Sequence, residues 1–270
     1  MTDPLEGLFV EPGQASQLAK RDPTIKCGLH DKAEGSAIMA ADIAQLLDLQ
    51  YRLWAESRRS LLLVLQGMDA SGKDGTIRHV FAGVNPLGCR AVAFKAPTAV
   101  EAARDFLWRI HQPVPAHGEI GIFNRSHYED VVAARVLGII DDRERKRRYE
   151  RIVAFEQTLA DAGTTVIKVF LHISRDEQRK RLQARLEDPK KRWKFNPDDL
   201  KARESWGDYQ RLYDAAITAT STKAAPWYVV PADHKWVRNA VVSRLLVKTL
   251  HKLDPKFPPA PPGLDSLTIT

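Results

Sequence analysis

Gly67-Met68-Asp69-Ala70-Ser71-Gly72-Lys73 is the stretch that decides the fold of this chain. The apolar run Leu61-Leu62-Leu63-Val64-Leu65 leads into it, and the helical pattern Thr76-Ile77-Arg78-His79-Val80-Phe81 leads out. Strand, glycine-bounded loop and helix in that order are the context of a phosphate-binding loop. Gly67 and Gly72 let the backbone turn tightly, so several N–H groups face one anion without a Cβ in the way. The helix start adds the positive end of its dipole, and Lys73 adds a full charge. Gly67, Ala70, Ser71, Gly72, Lys73 and Asp74 are thus the candidate phosphate cradle.

The loop departs from the common pattern at two positions. Asp74 follows Lys73, where a Ser or Thr hydroxyl usually holds Mg²⁺. Asp69 lies inside the loop, where a carboxylate beside phosphates is tolerable if a divalent cation sits between them. Asp69 therefore reads as a metal contact and Asp74 as a weaker candidate. The alternative for Asp69 is a turn-forming Asx residue.

Working outward, strands and helices alternate. The pattern predicts an irregular N-terminal arm over residues 1–35 and a helix from Ser36 to about Ser57. A strand over 60–66 leads into the phosphate loop, and a second covers Ala91-Val92-Ala93-Phe94. Thr98 with Glu101 signals a capped helix ending before Pro113. Glu119 to Phe123 reads as a third strand, and Ser126 with Glu129 as a cap for a helix from His127 to Leu137. A long helix starts at Asp142 and stops at Gly163. A strand from Val166 to Ile173 then meets a third capping pair, Ser174 and Glu177, whose helix breaks at Asp188-Pro189. Asn196-Pro197-Asp198-Asp199 opens a further helix. Pro226 to Val230 makes a short strand, Trp236 to about Leu253 a last helix, and residues 255–270 a proline-rich, extended tail. This alternation implies a three-layer α/β domain with a parallel sheet over 36–254. Ligands gather at the carboxyl ends of such strands, which puts the 67–73 loop, Asn124-Arg125 and the helix after Ser174 on one rim.

The 270 residues suffice for one sizeable α/β core, or two small domains at most. Two cysteines, Cys27 and Cys89, are too few for a disulfide framework or a metal cluster. With no secretory pattern at Met1-Thr2-Asp3-Pro4 and no apolar run of membrane-spanning length, a cytoplasmic protein without a membrane partner is expected. Net charge is +7, and part of the excess is local: nine basic residues and four acidic ones lie between Arg175 and Lys194. Such runs are usually solvated helix faces, and the 143–151 stretch reads that way unless it extends a polyanion track. A basic helix hairpin over 175–206, broken by Pro189, can instead close as a lid that brings cations over phosphates and excludes water.

Three motifs sharpen this. Gly67 through Gly75, then Phe123-Asn124-Arg125-Ser126-His127-Tyr128-Glu129-Asp130, then Lys191-Arg192-Trp193-Lys194-Phe195 resemble the second family of polyphosphate kinases. The similarity runs from about residue 30 to 255. The resemblance implies a P-loop kinase fold similar to thymidylate kinase, and the use of inorganic polyphosphate and Mg²⁺, or Mn²⁺ in its place, to phosphorylate nucleotides. By position, it implies metal binding for Asp69, phosphate binding for Lys73 and Arg125, and lid positions for Arg185, Lys191 and Arg192. Asn124 stands where many members carry Asp, so its amide would ligate metal more weakly. The Asn-Arg-Ser-His-Tyr-Glu-Asp form looks like the subgroup accepting AMP as well as ADP, with Asn124, Glu129 and Asp130 on the nucleotide side. Asn85, just beyond the phosphate loop's helix, is a further nucleotide candidate. ATP would be product or reverse donor, and the family implies a homo-oligomer, dimer or tetramer.

Other residues read as structural. His127 fits a helix start better than a general base, because phosphate oxygens are already ionised nucleophiles. His111, His172 and His234 lack metal-ligand spacing, and Trp193, Trp206 and Trp227 read as packing residues. Two alternatives stand beside polyphosphate transfer. One is an ATP-dependent nucleoside or nucleotide kinase; the basic lid favours a longer donor. The other is a nucleic-acid-binding protein, which the charge permits but no helix-turn-helix, RNA-recognition or zinc-finger signature supports.

Overall fold

The computed structural model describes residues 3–264; Met1-Thr2 of the expected arm and residues 265–270 of the expected tail lie outside the described residues. The described residues form one six-stranded sheet. Its order is β1 (Phe9–Val10), β6 (Trp227–Pro231), β5 (Thr164–His172), β2 (Ser60–Gln66), β4 (Ile120–Asn124) and β3 (Cys89–Ala93). All neighbours are parallel except β1, which runs antiparallel along β6.

Leu61 to Leu65 are fully buried because β2 is central and covered on both sides, as its unbroken apolar run requires. The pleat sorts them. Leu62 and Val64 join Phe123, Val166, Phe170 and Trp227 in a core under α6 (Asp142–Asp161) and α9 (Trp206–Thr220). Leu61, Leu63 and Leu65 join Ile122, Ile167 and Val169 in a second core under α1 (Lys32–Glu56), α2 (Lys73–Val80) and α10 (Lys235–Leu253). The period of two thus builds three layers. From β2 the chain leaves for β3 and β4 on one side, then crosses to β5 on the other. That reversal opens a crevice at the carboxyl end of β2. No helix among the described residues is long and apolar enough to cross a membrane.

Several boundaries differ from the sequence expectation, each for a local reason. The arm contributes β1, and α1 starts at Lys32 because Asp31 accepts from the Glu34 N–H at 2.9 Å. The Thr98–Glu101 capping box forms, yet it caps only α3 (Ala99–Ala102); a second single turn, α4 (Trp108–His111), follows. The helix expected over His127–Leu137 shrinks to α5 (Ala133–Val136). Ser126 caps nothing there, because its hydroxyl donates to the Gln66 side-chain oxygen at 3.1 Å and accepts from the Tyr128 N–H at 3.3 Å. Ser174 does cap α7 (Arg175–Glu187), but the Glu177 carboxylate turns to Arg181 instead of completing a box. After α7 come a 3₁₀ turn at Arg192–Lys194 and α8 (Asp198–Glu204). Residues 255–264 carry no strand or α-helix.

Candidate functional site

The 67–73 loop bends where its glycines allow. Gly67 and Gly72 have φ of +148° and +106°. A Cβ on Gly67 would lie 2.7 Å from the Leu171 carbonyl, and one on Gly72 would lie 1.8 Å from the Arg238 guanidinium. Ala70 also adopts a left-handed φ, +62°, a conformation uncommon outside glycine and expected where backbone N–H groups form an anion nest.

Side chains hold the loop by its carbonyls. Lys73 Nζ donates to Gly67 O at 2.7 Å and Met68 O at 3.3 Å. From α7, Gln178 donates to Asp69 O at 3.0 Å, and Arg181 to Ala70 O at 3.1 Å and Ser71 O at 3.0 Å. Arg238 of α10 donates to Ser71 O at 3.2 Å. In a planar trans peptide the next N–H points opposite its carbonyl, so the Ala70 and Gly72 amides are turned away from these braces. Sequence reasoning missed Gln178, Arg181 and Arg238. Arg181 sits i+4 from Glu177, which only marks a helix pair; nothing in the sequence ties Arg238 to a loop 167 residues earlier.

Arg125 follows β4 with φ of +63°, and its N–H donates to Leu65 O at 3.0 Å. Its guanidinium pairs with Asp69 and, at 3.3 Å, with Glu129. Glu129 and Asp69 hold the Arg125 charge more firmly than usual, against burial. Asp74 accepts from the Asn124 amide at 2.8 Å and pairs with Lys194 at 3.4 Å. Burial works to raise the Asp74 pKa, but Asn124 and Lys194 outweigh it and leave it lowered. Lys73 is buried, and that burial, with Arg125 nearby, pulls its pKa from 10.5 down to about 8.

These groups border a cleft of about 980 Å³ lined by twelve lysine and arginine side chains and four carboxylates. Asp69, Ala70, Gly72, Lys73, Asp74, Asn124, Arg125, Arg185 and Lys191 of the expected site line it. Gly67 and Ser71 do not line it, and Ser71 is fully buried. Glu129 reaches the cleft only through Arg125, and Asp130 faces Arg109 at 2.9 Å. Asn85 is not brought in; it caps the Pro86–Gly88 turn by accepting from the Leu87 N–H. Arg192 is also outside, its Nε donating to Leu186 O at 2.6 Å, whereas the neighbouring Lys194 lines the cleft. Trp193 is 77% exposed and borders the cleft, so it is not a packing residue; Trp227 is fully buried, and Trp206 packs at the core's edge. None of residues 143–151 lines the cleft, and that stretch is not wholly solvated, since Arg145 is buried. His111 packs edge-on to Phe155, His172 bonds Arg21 O at 2.9 Å, and His234 precedes α10.

Among the described residues no three His, Cys, Asp or Glu side chains gather around a metal position. The loop carboxylates Asp69 and Asp74 are the groups that could hold one, with Asn124 engaged to Asp74. Such a cleft can bind a multiply charged phosphate ligand against N–H groups, Lys73 and Arg125, with further cations along its length.

A family model described as Polyphosphate kinase 2 matches residues 29–258. The AMP/ADP-polyphosphate phosphotransferase of Meiothermus ruber is 48% identical over 264 residues, 96% of this chain and 98% of that protein. The ADP-polyphosphate phosphotransferase of Rhodopseudomonas palustris is 40% identical over 266 residues, 94% and 92% of the two chains. Among solved structures, Polyphosphate Kinase 2 from Arthrobacter aurescens TC1 aligns with a TM-score of 0.93 at 45% identity, covering 98% of this chain and 94% of that one. A match over most of the length, on a fold that carries the loop and its cationic cleft intact, leaves one assignment: this chain belongs to the polyphosphate kinase 2 family.

Proposed function

We propose that this protein transfers the terminal phosphoryl group of inorganic polyphosphate to AMP or ADP, reversibly, with Mg²⁺ or Mn²⁺ in its site. The supporting observation is the cleft, where twelve cations surround the 67–73 loop in about 980 Å³. That is the upper end of a small-molecule site, and its charge suits a long linear polyanion. The relatives' names point to the same donor.

Phosphoryl transfer needs positioning and charge neutralisation more than covalent help from the protein. The loop amides and Lys73 hold the donor's terminal phosphates, and Arg125 faces the group in transit. The acceptor's phosphate oxygen is already an anion, so no general base is required; His127 is buried and bonded to Glu156 at 3.2 Å. Mg²⁺ takes one or two carboxylates and completes its shell with phosphates and water. Asp69, at the cleft and paired there with Arg125, fits that donor set, and the ion would neutralise charge on the donor phosphates. The 175–206 hairpin is the candidate lid, with Arg185, Lys191 and Lys194 over the cleft. Incubating protein, polyphosphate and Mg²⁺ with each of AMP, ADP, GMP and GDP, and resolving products by chromatography, tests the activity and ranks the acceptors; no triphosphate or diphosphate product from any acceptor would refute it.

Two further outcomes are expected. Lys191→Ala with Lys194→Ala should raise the polyphosphate KM about tenfold at low ionic strength, shrinking as salt rises, because the lost attraction is long-range and screened. The KM for ADP should move less; a larger shift for ADP would mean the lid serves the nucleotide. The second outcome concerns pH. Free Lys73 is charged below about pH 8 and neutral above it, and the polyanion binds the charged form. Hence kcat/KM for polyphosphate should be level below that pH and fall above it, toward tenfold per unit. Lys73→Arg, charged throughout, should lose that limb whatever its absolute rate; a limb that persists belongs to another group.

A further inference from the structure

His127 and Tyr128 follow Arg125 by two and three residues and turn into the core, where both are fully buried. Glu156 of α6 receives them: its Oε1 accepts from His127 Nε2 at 3.2 Å and from the Tyr128 hydroxyl at 3.0 Å. Its Oε2 accepts from Lys168 Nζ of β5 at 2.5 Å. That ammonium also donates to the Tyr128 hydroxyl at 3.0 Å and to the Thr220 carbonyl at 2.7 Å. Glu156 and Lys168 are 1% and 0% exposed, so both charges are taken wholly out of water.

A buried ion pair is a weak source of stability, since well-packed apolar residues in its place are often neutral or better. The chain above it offers another reason. Arg125 holds a left-handed φ of +63°, which a non-glycine residue keeps only when its surroundings over-determine it. On one side its N–H is fixed to Leu65 O at 3.0 Å. On the other, residues 127–132 form turns instead of the helix that would have anchored them, and the anchoring falls to His127 and Tyr128.

We propose that the Glu156–Lys168 pair, acting through His127 and Tyr128, is a positioning device that holds Arg125 in its left-handed conformation at the cleft. It rests on the reading of Arg125 given above. Neither Glu156 nor Lys168 touches the cleft; they fix where the guanidinium projects. The device spans α6, β5 and the loop after β4, so the arginine's place is tied to the core. A misplacement of about 1 Å at a reacting group can cost roughly a hundredfold in rate.

The test is Glu156→Leu with Lys168→Met, assayed with polyphosphate, Mg²⁺ and ADP in the wild-type and Arg125→Ala backgrounds. The expected result is a folded protein whose melting temperature falls, because the buried His127 ring and Thr220 carbonyl lose their partners, with a kcat lowered about a hundredfold and a KM little altered. In the Arg125→Ala background the same change should cost no further turnover, because the two act as one unit. A folded pair variant with wild-type kcat, or losses that multiply across the two backgrounds, overturns the proposal. Should the pair variant fail to fold, Tyr128→Phe takes its place: it removes the hydroxyl and keeps the ring 4.8 Å from Trp227. The same non-additivity with Arg125→Ala is expected, on a loss of about tenfold, and multiplying losses again refute it. Full turnover in Arg125→Ala alone would instead overturn the reading of Arg125 as a donor-site residue, and the two failures are distinguishable.

Discussion

Lys73→Ala should lower kcat with polyphosphate and ADP by at least about a hundredfold while the protein stays folded. The Lys73 ammonium is buried against Gly67 O and Met68 O, at the start of α2 and beneath the loop amides. It is held where water cannot screen it, so its attraction for a transferring phosphoryl group is stronger than at a surface. Removing it also releases two loop carbonyls, and the size of that contribution can be separated. Lys73→Gln keeps an amide donor for those carbonyls and loses the charge, so it should be as inactive as the alanine variant if charge is what matters. Steady-state rates beside circular dichroism decide it; near-normal turnover in either folded variant would remove Lys73 from the chemistry.

Asp69→Asn should cut turnover about a hundredfold and move the Mg²⁺ requirement to higher concentration. Asparagine forms an Asx turn as readily as aspartate does, so the substitution spares a merely structural role. What it removes is the negative charge, which pairs with Arg125 and which would meet a cation between loop and phosphates. A metal titration that superimposes on the wild type, with turnover intact, would leave Asp69 as a turn residue.

The fold was readable where hydrophobic period and glycine placement agree. Leu61 to Leu65 between a polar start and Gly67 could only be a central strand, and alternation of strands with helices fixed the parallel sheet. β1 was not readable, because two residues, Phe9 and Val10, carry no period. The expected helix after Ser126 failed for a reason invisible along the chain: its His and Tyr are claimed by Glu156 and Lys168 of distant elements. Of the loop residues expected at the site, Asp69, Ala70, Gly72 and Lys73 do line the cleft, since a glycine-bounded turn between strand and helix is legible from residue types and spacing. Their supports were not. Arg181 and Arg238 grip Ala70 O and Ser71 O, and no motif announces a side chain that acts on a backbone carbonyl over a long sequence distance. Trp193 misled because tryptophan is more often interior, and its place on the exposed 3₁₀ turn at Arg192–Lys194 reverses that expectation.

The most direct measurement is a donor comparison with purified protein, Mg²⁺ and AMP or ADP, using either polyphosphate or ATP as the sole phosphoryl source. Polyphosphate should drive formation of ADP from AMP or ATP from ADP, with rates that fall as salt screens the twelve cleft cations. A protein that ignores polyphosphate yet phosphorylates AMP from ATP would contradict the assignment of donor and leave an ordinary nucleotide kinase on this fold.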